Sequence, residues 1–262
     1  MVLQAHEGRL ITAPGPRVLV ATAVPAERDA VARAFGTRAH EVPLPGVSTE
    51  TLHRVGDDRY DLLAVGVGPA LAAASTATAL TAAALHGTPY ALVVSAGIAG
   101  GFAPDAPLGS LVVADAVTAA DLGAETPDGF LPVTELGFGT VHHRPPESLV
   151  RETAAATGAR VGTVLTVSTV TGSAERAAEL RARHPRALAE AMEGFGVAEA
   201  AAAHGTPVLE LRAVSNPVGP RDRAAWRIGD ALAALTEGFG KLAPVLESWT
   251  SYDRHDPAER TP

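Results

Sequence analysis

Short apolar runs that alternate with helical patterns constrain the fold of this chain more than any other feature. RVLVATA (17–23) precedes PAERDAVARAFG, where Pro25 suits the start of a helix and Gly36 its end. DLLAVGVG (61–68) runs in the same way into a helical pattern that Gly87 ends. Further strand-like runs follow at 90–97, 110–117, 160–168 and 207–215, and further helical patterns at 146–157, 174–183, 193–204 and 223–248.

Strands this apolar are typical of a sheet that is covered on both faces. We therefore predict an α/β fold: a single domain with a central mixed, largely parallel, twisted sheet flanked by helices. No linker or shift in composition divides residues 17–248, which form the predicted domain. Residues 1–16 are predicted to be an N-terminal extension and 249–262 a polar C-terminal tail. The stretch 118–145 is too long for a simple connection, which indicates a functional loop.

The composition argues against several classes of function. The formal charge of −8 with no basic run, and an aromatic content of 4%, argue against a nucleic-acid partner. No apolar stretch reaches the roughly 18 residues of a membrane span, and the N-terminus does not resemble a signal peptide. The absence of cysteine excludes thiolate ligands and nucleophiles and fits a cytoplasmic location. The partner expected from these features is a small molecule.

The carboxyl ends of the predicted strands carry most of the candidate site, since ligands of such sheets bind there. Gly66 and Gly68 permit a tight turn whose N–H groups can face an anion or a ribose. Leu71 stands where a dinucleotide-binding pattern requires glycine, which argues against NAD, and we expect no cofactor. The strand ends read AVPAE (23–27), GVGPA (66–70), SAGIAGGF (95–102), STVTGS (168–173) and VSNPVGPRD (214–222).

Other common chemistries lack their motifs. His142 and His143 are adjacent, so they point in different directions in most backbones, and no HExxH or other metal-ligand pattern surrounds them. The sequence contains no GxSxG elbow of a serine hydrolase and no GxxxxGK[ST] phosphate loop. We therefore predict no metal site.

Glu193 is a carboxylate in an apolar segment, AMEGFGVAEAA (191–201). A buried carboxylate needs a partner. Because Gly194 and Gly196 follow it, Glu193 can simply cap a helix, where an acidic residue is favoured. Alternatively, it binds a ligand, and the segment alone leaves both interpretations open.

Several segments, in their order along residues 17–240, resemble the purine nucleoside phosphorylase and nucleosidase superfamily. RVLVATAVPAERDAV is similar to the first strand and helix of its nucleosidase branch, and AMEGFGVAEAA to its ME-containing helix. Within the superfamily, the chain looks most like the futalosine hydrolases of menaquinone biosynthesis. The resemblance implies a nucleoside phosphorylase-like fold, and the other segments that carry it are DLLAVGVGPALAAA, SAGIAGGF, PLGSLVVADAV and VSNPVGPRDRAAW.

The resemblance also implies roles for four residues. Glu193 would accept hydrogen bonds from the 2′ and 3′ hydroxyls of a nucleoside ribose, and Met192 would pack against the sugar. Glu27 would hold and deprotonate the attacking water, with Arg212 helping to position it. From the residues alone, Glu27 is equally an ordinary acid in a first helical turn, and Arg212 equally a surface ion pair.

Asn216 is a departure from the family pattern, since adenine-releasing relatives place aspartate there. An asparagine cannot act as an acid, but its amide N–H can bond to N7 or O6 of a 6-oxopurine, which favours hypoxanthine. Asp222 would supply the proton or orient Asn216, or would cap the helix that begins RAAWRIGDAL. The other substrate-binding residues that the resemblance implies are Ile98, which replaces a serine of the nucleosidase loops, and Ala99, Gly100, Thr169, Val170 and Ser215.

The resemblance implies hydrolysis of futalosine to hypoxanthine and dehypoxanthine futalosine. Alternatives are a methylthioadenosine/S-adenosylhomocysteine-type nucleosidase and a purine nucleoside phosphorylase. The phosphorylases of the family tend to carry an arginine-bearing phosphate loop where Glu27 stands here, which argues against phosphorolysis. Only Arg28 favours the binding of phosphate. A non-enzymatic nucleoside-binding sensor is a further alternative. Relatives form dimers or larger assemblies, so we expect a homo-oligomer. Candidates for binding the carboxylated aromatic 5′ substituent are Phe102, Phe138, Arg221 and Arg223.

Overall fold

The computed structural model describes residues 16–45 and 51–252, and these form one mixed α/β domain. The predicted extension, except for its last residue, and the predicted tail from 253 onward lie outside the described residues. The helices are α1 (Pro25–Arg33), α2 (Pro69–Leu85), α3 (Glu147–Thr157), α4 (Ala174–Arg183), α5 (Gly194–Ala203) and α6 (Ile228–Tyr252). The strands are β1 (Arg17–Thr22), β2 (His40–Pro43), β3 (Thr51–Val55), β4 (Tyr60–Ala64), β5 (Tyr90–Gly101), β6 (Leu111–Ala119), β7 (Gly123–Thr126), β8 (Gly129–Pro132), β9 (His142–His143), β10 (Arg160–Thr166), β11 (Ala187–Ala191) and β12 (Val208–Pro217).

A mixed sheet runs through the described domain in the order β11-β10-β6-β12-β5-β1-β4-β3-β2, with β9 paired to β6. Its longest ladders, β5 with β12 and β6 with β10, are parallel. The pairings at the β2 edge, and those of β12 with β6 and of β11 with β5, are antiparallel. The predicted mixed sheet is therefore confirmed, with more antiparallel pairing than the apolar strand pattern indicated.

Helices cover both faces of this sheet because successive strand residues point to opposite sides. On β1, Leu19 and Ala21 pack with α2 and α5, whereas Val18 and Val20 pack with α1, α3 and α6. Leu180 of α4 belongs to a smaller core cluster against β10. None of the helices in the described part of the chain combines the length and the hydropathy that a membrane span requires.

Several segments differ from the sequence-based expectation, including strands β2, β3 and β11, which were not predicted, and helix α6, which begins at Ile228 and not at residue 223. The strand predicted over 90–97 is longer in the structure, since the 12-residue β5 continues through the glycines of SAGIAGG to Gly101. The predicted functional loop 118–145 contains the hairpin β7–β8 and the short strand β9. Helix α6 continues past the expected domain boundary at residue 248, and Trp249 is buried in the core.

The pairing of β11 with β5 closes β5, β12, β6, β10 and β11 into a ring. Ala189 and Glu190 lie opposite Gly101 and Gly100, so the carboxyl ends of the two strands meet antiparallel. The carboxyl end of β11, at one edge of the strand order, thus lies beside the carboxyl end of the central strand β5.

Candidate active site

A cleft with a volume of about 380 Å³ opens where the carboxyl ends of β5 and β11 meet. Residues from the first turn of α1, from the ends of β5, β11 and β12, and from the segments after β4 and β10 line it. The sequence-predicted residues among them are Glu27, Ile98, Ala99, Gly100, Val170, Met192, Glu193, Ser215 and Asn216.

Glu27 lies in the first turn of α1 and is only 4% exposed. Its Oε2 accepts hydrogen bonds from the N–H groups of Ala23 (2.9 Å) and Val24 (3.3 Å), and its Oε1 accepts one from Ile98 (2.8 Å). Burial raises the pKa of the carboxyl, and the Arg212 guanidinium and the backbone donors oppose this shift only in part. Glu27 is thus both a first-turn acid and a carboxylate held at the cleft.

Arg212 is 1% exposed, so the interpretation as a surface ion pair is wrong. Its Nε donates to Glu210 Oε1 (2.8 Å), its Nη2 donates to Ser95 Oγ (3.0 Å), and its Nη1 lies 3.5 Å from Glu193 Oε2. Burial by itself would lower the pKa of Arg212, but Glu210, Glu193 and Glu27 outweigh burial and raise it. The guanidinium is therefore a fixed positive charge shared by three carboxyl groups.

Glu193 occupies the N-cap position of α5, but its side chain makes no capping hydrogen bond. Instead, Glu193 Oε1 accepts a hydrogen bond from the N–H of Gly68 (3.2 Å) in the turn after β4, while Oε2 faces Arg212. Gly68 adopts a φ of 90°, which a residue with a side chain rarely adopts. The carboxylate is thus held at the cleft and not folded back on its own helix.

Gly97 permits this arrangement because it lies directly opposite Arg212 in the β5–β12 ladder. A Cβ atom at position 97 would lie 2.6 Å from Glu27 Oε1 and 2.7 Å from Arg212 Nη1. Any side chain at this position would therefore displace the carboxylate or the guanidinium.

Asn216 lines the cleft near the end of β12. Its Oδ1 accepts a hydrogen bond from Ser215 Oγ (2.9 Å), and its Nδ2 donates to the carbonyl of Pro217 (3.0 Å). These bonds assign the orientation of the amide. Ser215 thus positions Asn216 in addition to lining the cleft.

Three sequence-predicted site residues lie outside the cleft lining. The buried Arg212 contacts Glu193 but does not itself line the cleft. Asp222 is exposed, and its Oδ1 accepts from the N–H of Ala224 (3.1 Å), so it caps the short 3-10 turn Arg223–Ala225. The structure therefore favours the capping interpretation of Asp222 over proton supply. Thr169 is exposed beside the cleft, whereas its neighbours Val170 and Thr171 line it.

Among the four candidates for the 5′ substituent, Arg221 alone lines the cleft. Phe102 is buried in the core cluster with α4, and Phe138 is 63% exposed on the segment after β8. The guanidinium of Arg221 stacks over the ring of Trp226, 5.3 Å from its centroid, and Arg223 stacks at 5.8 Å. Trp226 also lines the cleft, and sequence reasoning missed it although it stands in the quoted VSNPVGPRDRAAW.

Glu190 is a second residue that sequence reasoning missed. It lines the cleft at 6% exposure, and its two oxygens accept from the N–H (2.8 Å) and the hydroxyl (2.5 Å) of Thr171. Burial raises the pKa of this carboxyl, and the two bonds from Thr171 oppose the shift. The signal in the sequence was a second carboxylate, three residues before Glu193 and directly before the apolar segment 191–201.

Comparisons with known proteins show the family of this chain. A family profile described as the phosphorylase superfamily matches residues 17–246. The chain is 77% identical over 237 residues to the futalosine hydrolase of Streptomyces coelicolor. The aligned residues cover 90% of this chain and 99% of that protein. The chain belongs to the futalosine hydrolases of the phosphorylase superfamily.

More distant members of the superfamily share the fold. The futalosine hydrolase of Acidothermus cellulolyticus is 46% identical over 230 residues, which span 86% of this chain and 89% of that protein. A structure of 5′-methylthioadenosine/S-adenosylhomocysteine nucleosidase from Neisseria meningitidis, in complex with methylthio-immucillin-A, superposes with a TM-score of 0.72 at 20% identity, over 87% of this chain and 98% of that one. The native structure of the futalosine hydrolase of Helicobacter pylori superposes with a TM-score of 0.70 at 20% identity, over 89% of this chain and 98% of that one.

Proposed function

We propose that this chain hydrolyses the N-glycosidic bond of futalosine, releasing hypoxanthine and dehypoxanthine futalosine in menaquinone biosynthesis. The observation that carries the proposal is one cleft lined by Glu27, Glu193 and Asn216, with Arg212 buried beside Glu193. This arrangement supplies a base, a group for the sugar and a donor for the purine. The similarity to named futalosine hydrolases supports the choice of substrate.

The ribose needs a negatively charged group beside it, because positive charge develops on the ribose as the base departs. Glu193 is fixed at the cleft by Gly68 and Arg212, and Met192 lies beside it. Its carboxylate accepts from the ribose hydroxyls, bonds that strengthen as the sugar becomes cationic.

Water is the proposed nucleophile, and Glu27 is its base. A carboxylate with a raised pKa accepts a proton more readily than an exposed glutamate does. Arg212 balances the charge of the carboxylates around it and helps to position the water. The glutamate at this position disfavours phosphate by repulsion, which argues against phosphorolysis.

Hypoxanthine is the proposed leaving base because Asn216 offers an amide N–H to N7 or O6. A specific finding favours a second candidate, adenine release: the chain is 30% identical over 206 residues to a 5′-methylthioadenosine/S-adenosylhomocysteine nucleosidase of Marinomonas sp.. The asparagine amide argues against that alternative, since it lacks the acidic proton that aspartate supplies.

The 5′ substituent of the substrate is proposed to lie against the stacked pair of Arg221 and Trp226. Both line the cleft, and together they present a cation and an aromatic face. An aromatic carboxylate matches this pair, since the ring stacks on Trp226 while the carboxylate pairs with Arg221.

The deciding experiment incubates the purified chain with futalosine, aminodeoxyfutalosine, methylthioadenosine and inosine, with and without phosphate, and measures the released base. We expect hypoxanthine release from futalosine at a rate that phosphate leaves unchanged. Preferential release of adenine would favour the second candidate. A requirement for phosphate would favour a phosphorylase, and binding without release would favour a nucleoside sensor.

The assembly and the location of the chain are further parts of the proposal. We propose a homo-oligomer, dimeric or built from dimers, in which the segment 118–145 of a neighbouring chain covers the 5′ end of the substrate. We also propose a cytoplasmic location, in keeping with a sequence that contains no cysteine.

A further inference from the structure

Glu210 is a fully buried carboxylate that does not line the cleft and has no role in the proposed reaction. It is the third residue of β12, inside the sheet, and it lies on the same face as Arg212 because side chains two residues apart share a face. Val208 and Val214, on the same face, belong to the apolar core that α2 and α5 cover. Glu210 and Arg212 are thus a charged pair where the surroundings favour apolar residues.

The stability of the fold gives no reason for this pair. Replacement of a buried ion pair by apolar residues of similar volume often leaves a protein as stable or makes it more stable. The start of α5 also has room for the carboxylate only because residue 194 is glycine. A Cβ atom at Gly194 would lie 2.2 Å from Glu210 Oε1 and 2.5 Å from its Oε2. We therefore looked for the role of Glu210 in its contacts with the site.

The contacts of Glu210 fix the orientation of the Arg212 guanidinium. Arg212 Nε donates to Glu210 Oε1 (2.8 Å), and Nη2 donates to Ser95 Oγ (3.0 Å). Nη1 forms no hydrogen bond within the described residues, so the bonds of the other two nitrogens determine where it points. It lies 3.5 Å from Glu193 Oε2 and beside Glu27. Glu210 therefore helps to direct one N–H group of Arg212 towards the two carboxylates that line the cleft.

The charge of Glu210 also bears on the site. Burial raises the pKa of Glu210, but the Arg212 guanidinium opposes this shift, and the N-terminus of α5 beside the carboxyl group favours its ionised form. Within the described part of the chain, the charged groups that act on Glu27 are Arg212 on β12 and Glu193 at the start of α5. The same two residues act on Glu210. Glu27 and Glu210 are thus coupled through the guanidinium that both contact electrostatically.

We infer that Glu210 is a positioning residue for the hydrolysis, which orients Arg212 towards Glu27 and Glu193 and offsets its positive charge so that Glu27 remains basic enough to activate water. The inference rests on the proposed function and adds a residue that acts through Arg212 without touching the substrate. If the charge of Glu210 were absent, Arg212 would attract the carboxylate of Glu27 more strongly. Glu27 would then accept a proton from water less readily.

Glu210→Gln separates the charge from the shape, because the amide oxygen can still accept from Arg212 Nε. We expect the acid limb of the pH profile of kcat to move about one pH unit lower, since the pKa of Glu27 decreases when Arg212 is less neutralised. Above that limb, kcat should fall about three- to tenfold while KM changes little. A residue that only stabilises the fold would lower the Tm and leave the acid limb in place. An unmoved or raised limb would therefore overturn the inference.

Asp61→Asn is the matched control, since Asp61 is equally buried and accepts from Arg54 Nε (2.8 Å) and the Tyr90 hydroxyl (2.6 Å) outside the cleft lining. We expect a lower Tm with the acid limb and the kcat of the parent. Glu210→Asp keeps the charge on a shorter side chain and replaces the glutamine variant if that one does not fold. It should lower kcat and leave the acid limb close to that of the parent. A kcat equal to the parent's in Glu210→Asp would contradict the positioning role.

A measurement without substrate separates this inference from the proposed function. NMR titration of protein that is isotope-labelled at the glutamate carboxyl groups follows Glu27 directly, because its resonance is the one absent from Glu27→Gln. We expect the midpoint of this titration to be lower in Glu210→Gln than in the parent, even if futalosine proves to be the wrong nucleoside. Equal midpoints would overturn the inference, whereas a parent that does not cleave futalosine would overturn only the proposed function.

Discussion

Arg212 shares one positive charge among Glu27, Glu193 and Glu210, all of them buried. Three ionised carboxylates would leave a net negative charge in an apolar interior, which is costly. The raised pKa values of Glu27 and Glu210, caused chiefly by burial, reduce that cost. The cluster therefore holds a carboxyl group that exchanges a proton closer to neutrality than glutamate normally does.

Replacement of Glu27 by glutamine should remove the base while it retains the shape of the side chain. We expect kcat to fall at least about a hundredfold with a smaller change in KM, because the carboxylate acts on water and not on the substrate. Steady-state kinetics on futalosine measures both. Normal turnover in a folded variant would contradict the assignment.

The pH profile of the parent should report the same group. Glu27 accepts a proton only when ionised, and its pKa is raised above the ordinary value of 4.5. The rate should therefore fall as the pH decreases through the raised pKa, which places the acid limb of kcat above pH 4.5. A flat profile down to that pH would contradict the role of Glu27 as base.

Glu193→Gln should weaken the interaction with the cationic sugar more than the interaction with the neutral substrate. We expect a decrease in kcat of about a hundredfold and a smaller effect on KM. The inhibition constant of a cationic ribose analogue, measured beside that of a neutral one, checks the cause. Equal losses for both would indicate uniform binding and not transition-state stabilisation.

Arg221→Ala should affect the 5′ end alone. We expect KM for futalosine to rise about tenfold, because a charge-assisted bond is lost, while KM for inosine, which lacks the carboxylate, changes little. Arg223→Ala is the matched control, since Arg223 stacks on the same Trp226 but lies outside the cleft lining. Equal effects of the two substitutions would place the carboxylate elsewhere.

The sequence predicted Glu193 as a candidate site residue but did not predict its contacts. Glu193 was expected either to cap α5 or to bind a ligand, and the structure places it at the N-cap position with its carboxylate turned to Gly68 and Arg212. Glu190 was not predicted because composition does not reveal which face of an apolar segment meets a cleft. That information depends on the pairing of β11 with β5, a contact between residues far apart in the chain.

At the scale of elements, prediction succeeded where local pattern decides and failed where distant pairing decides. Helix α4 was predicted with its observed bounds, and Ser173 caps it as its side chain suggests. Strand β11 was not predicted, because RALAEA is rich in helix formers and becomes a strand only between β10 and β5. The strand was predicted to end at Gly97, yet the following glycines of SAGIAGG also belong to β5, where their lack of side chains admits neighbouring groups.

Gly97→Ala tests that close approach. The added methyl group would contact Glu27 Oε1 and Arg212 Nη1 at 2.6 and 2.7 Å, so we expect activity to fall at least about tenfold together with a lower Tm. Gly240→Ala in α6 is the control, since nothing lies within 4 Å of its Cβ position, and it should retain activity with an equal or higher Tm. Full activity of Gly97→Ala would show that the cluster tolerates rearrangement.

At the scale of the whole molecule, the segment 118–145 carries the partly exposed hairpin β7–β8, and none of its residues lines the cleft of its own chain. We expect light scattering to give a mass of at least two chains at assay concentration. If the neighbouring chain completes the 5′ end, dilution below the dissociation constant should raise KM for futalosine. A monomer with undiminished activity would contradict the proposed assembly.

The position of β12 has a consequence for the chain as it is being synthesised. This late strand carries Arg212 and Asn216, yet it lies between β5 and β6, which leave the ribosome about a hundred residues earlier. Until β12 arrives, the partners of β5 and β6 on that side are missing, and two strand edges in the middle of the future sheet stay open to wrong pairing. The growing polypeptide therefore cannot form the complete cleft before β12 is synthesised. This last strand completes the sheet and also brings Arg212 and Asn216 to the cleft.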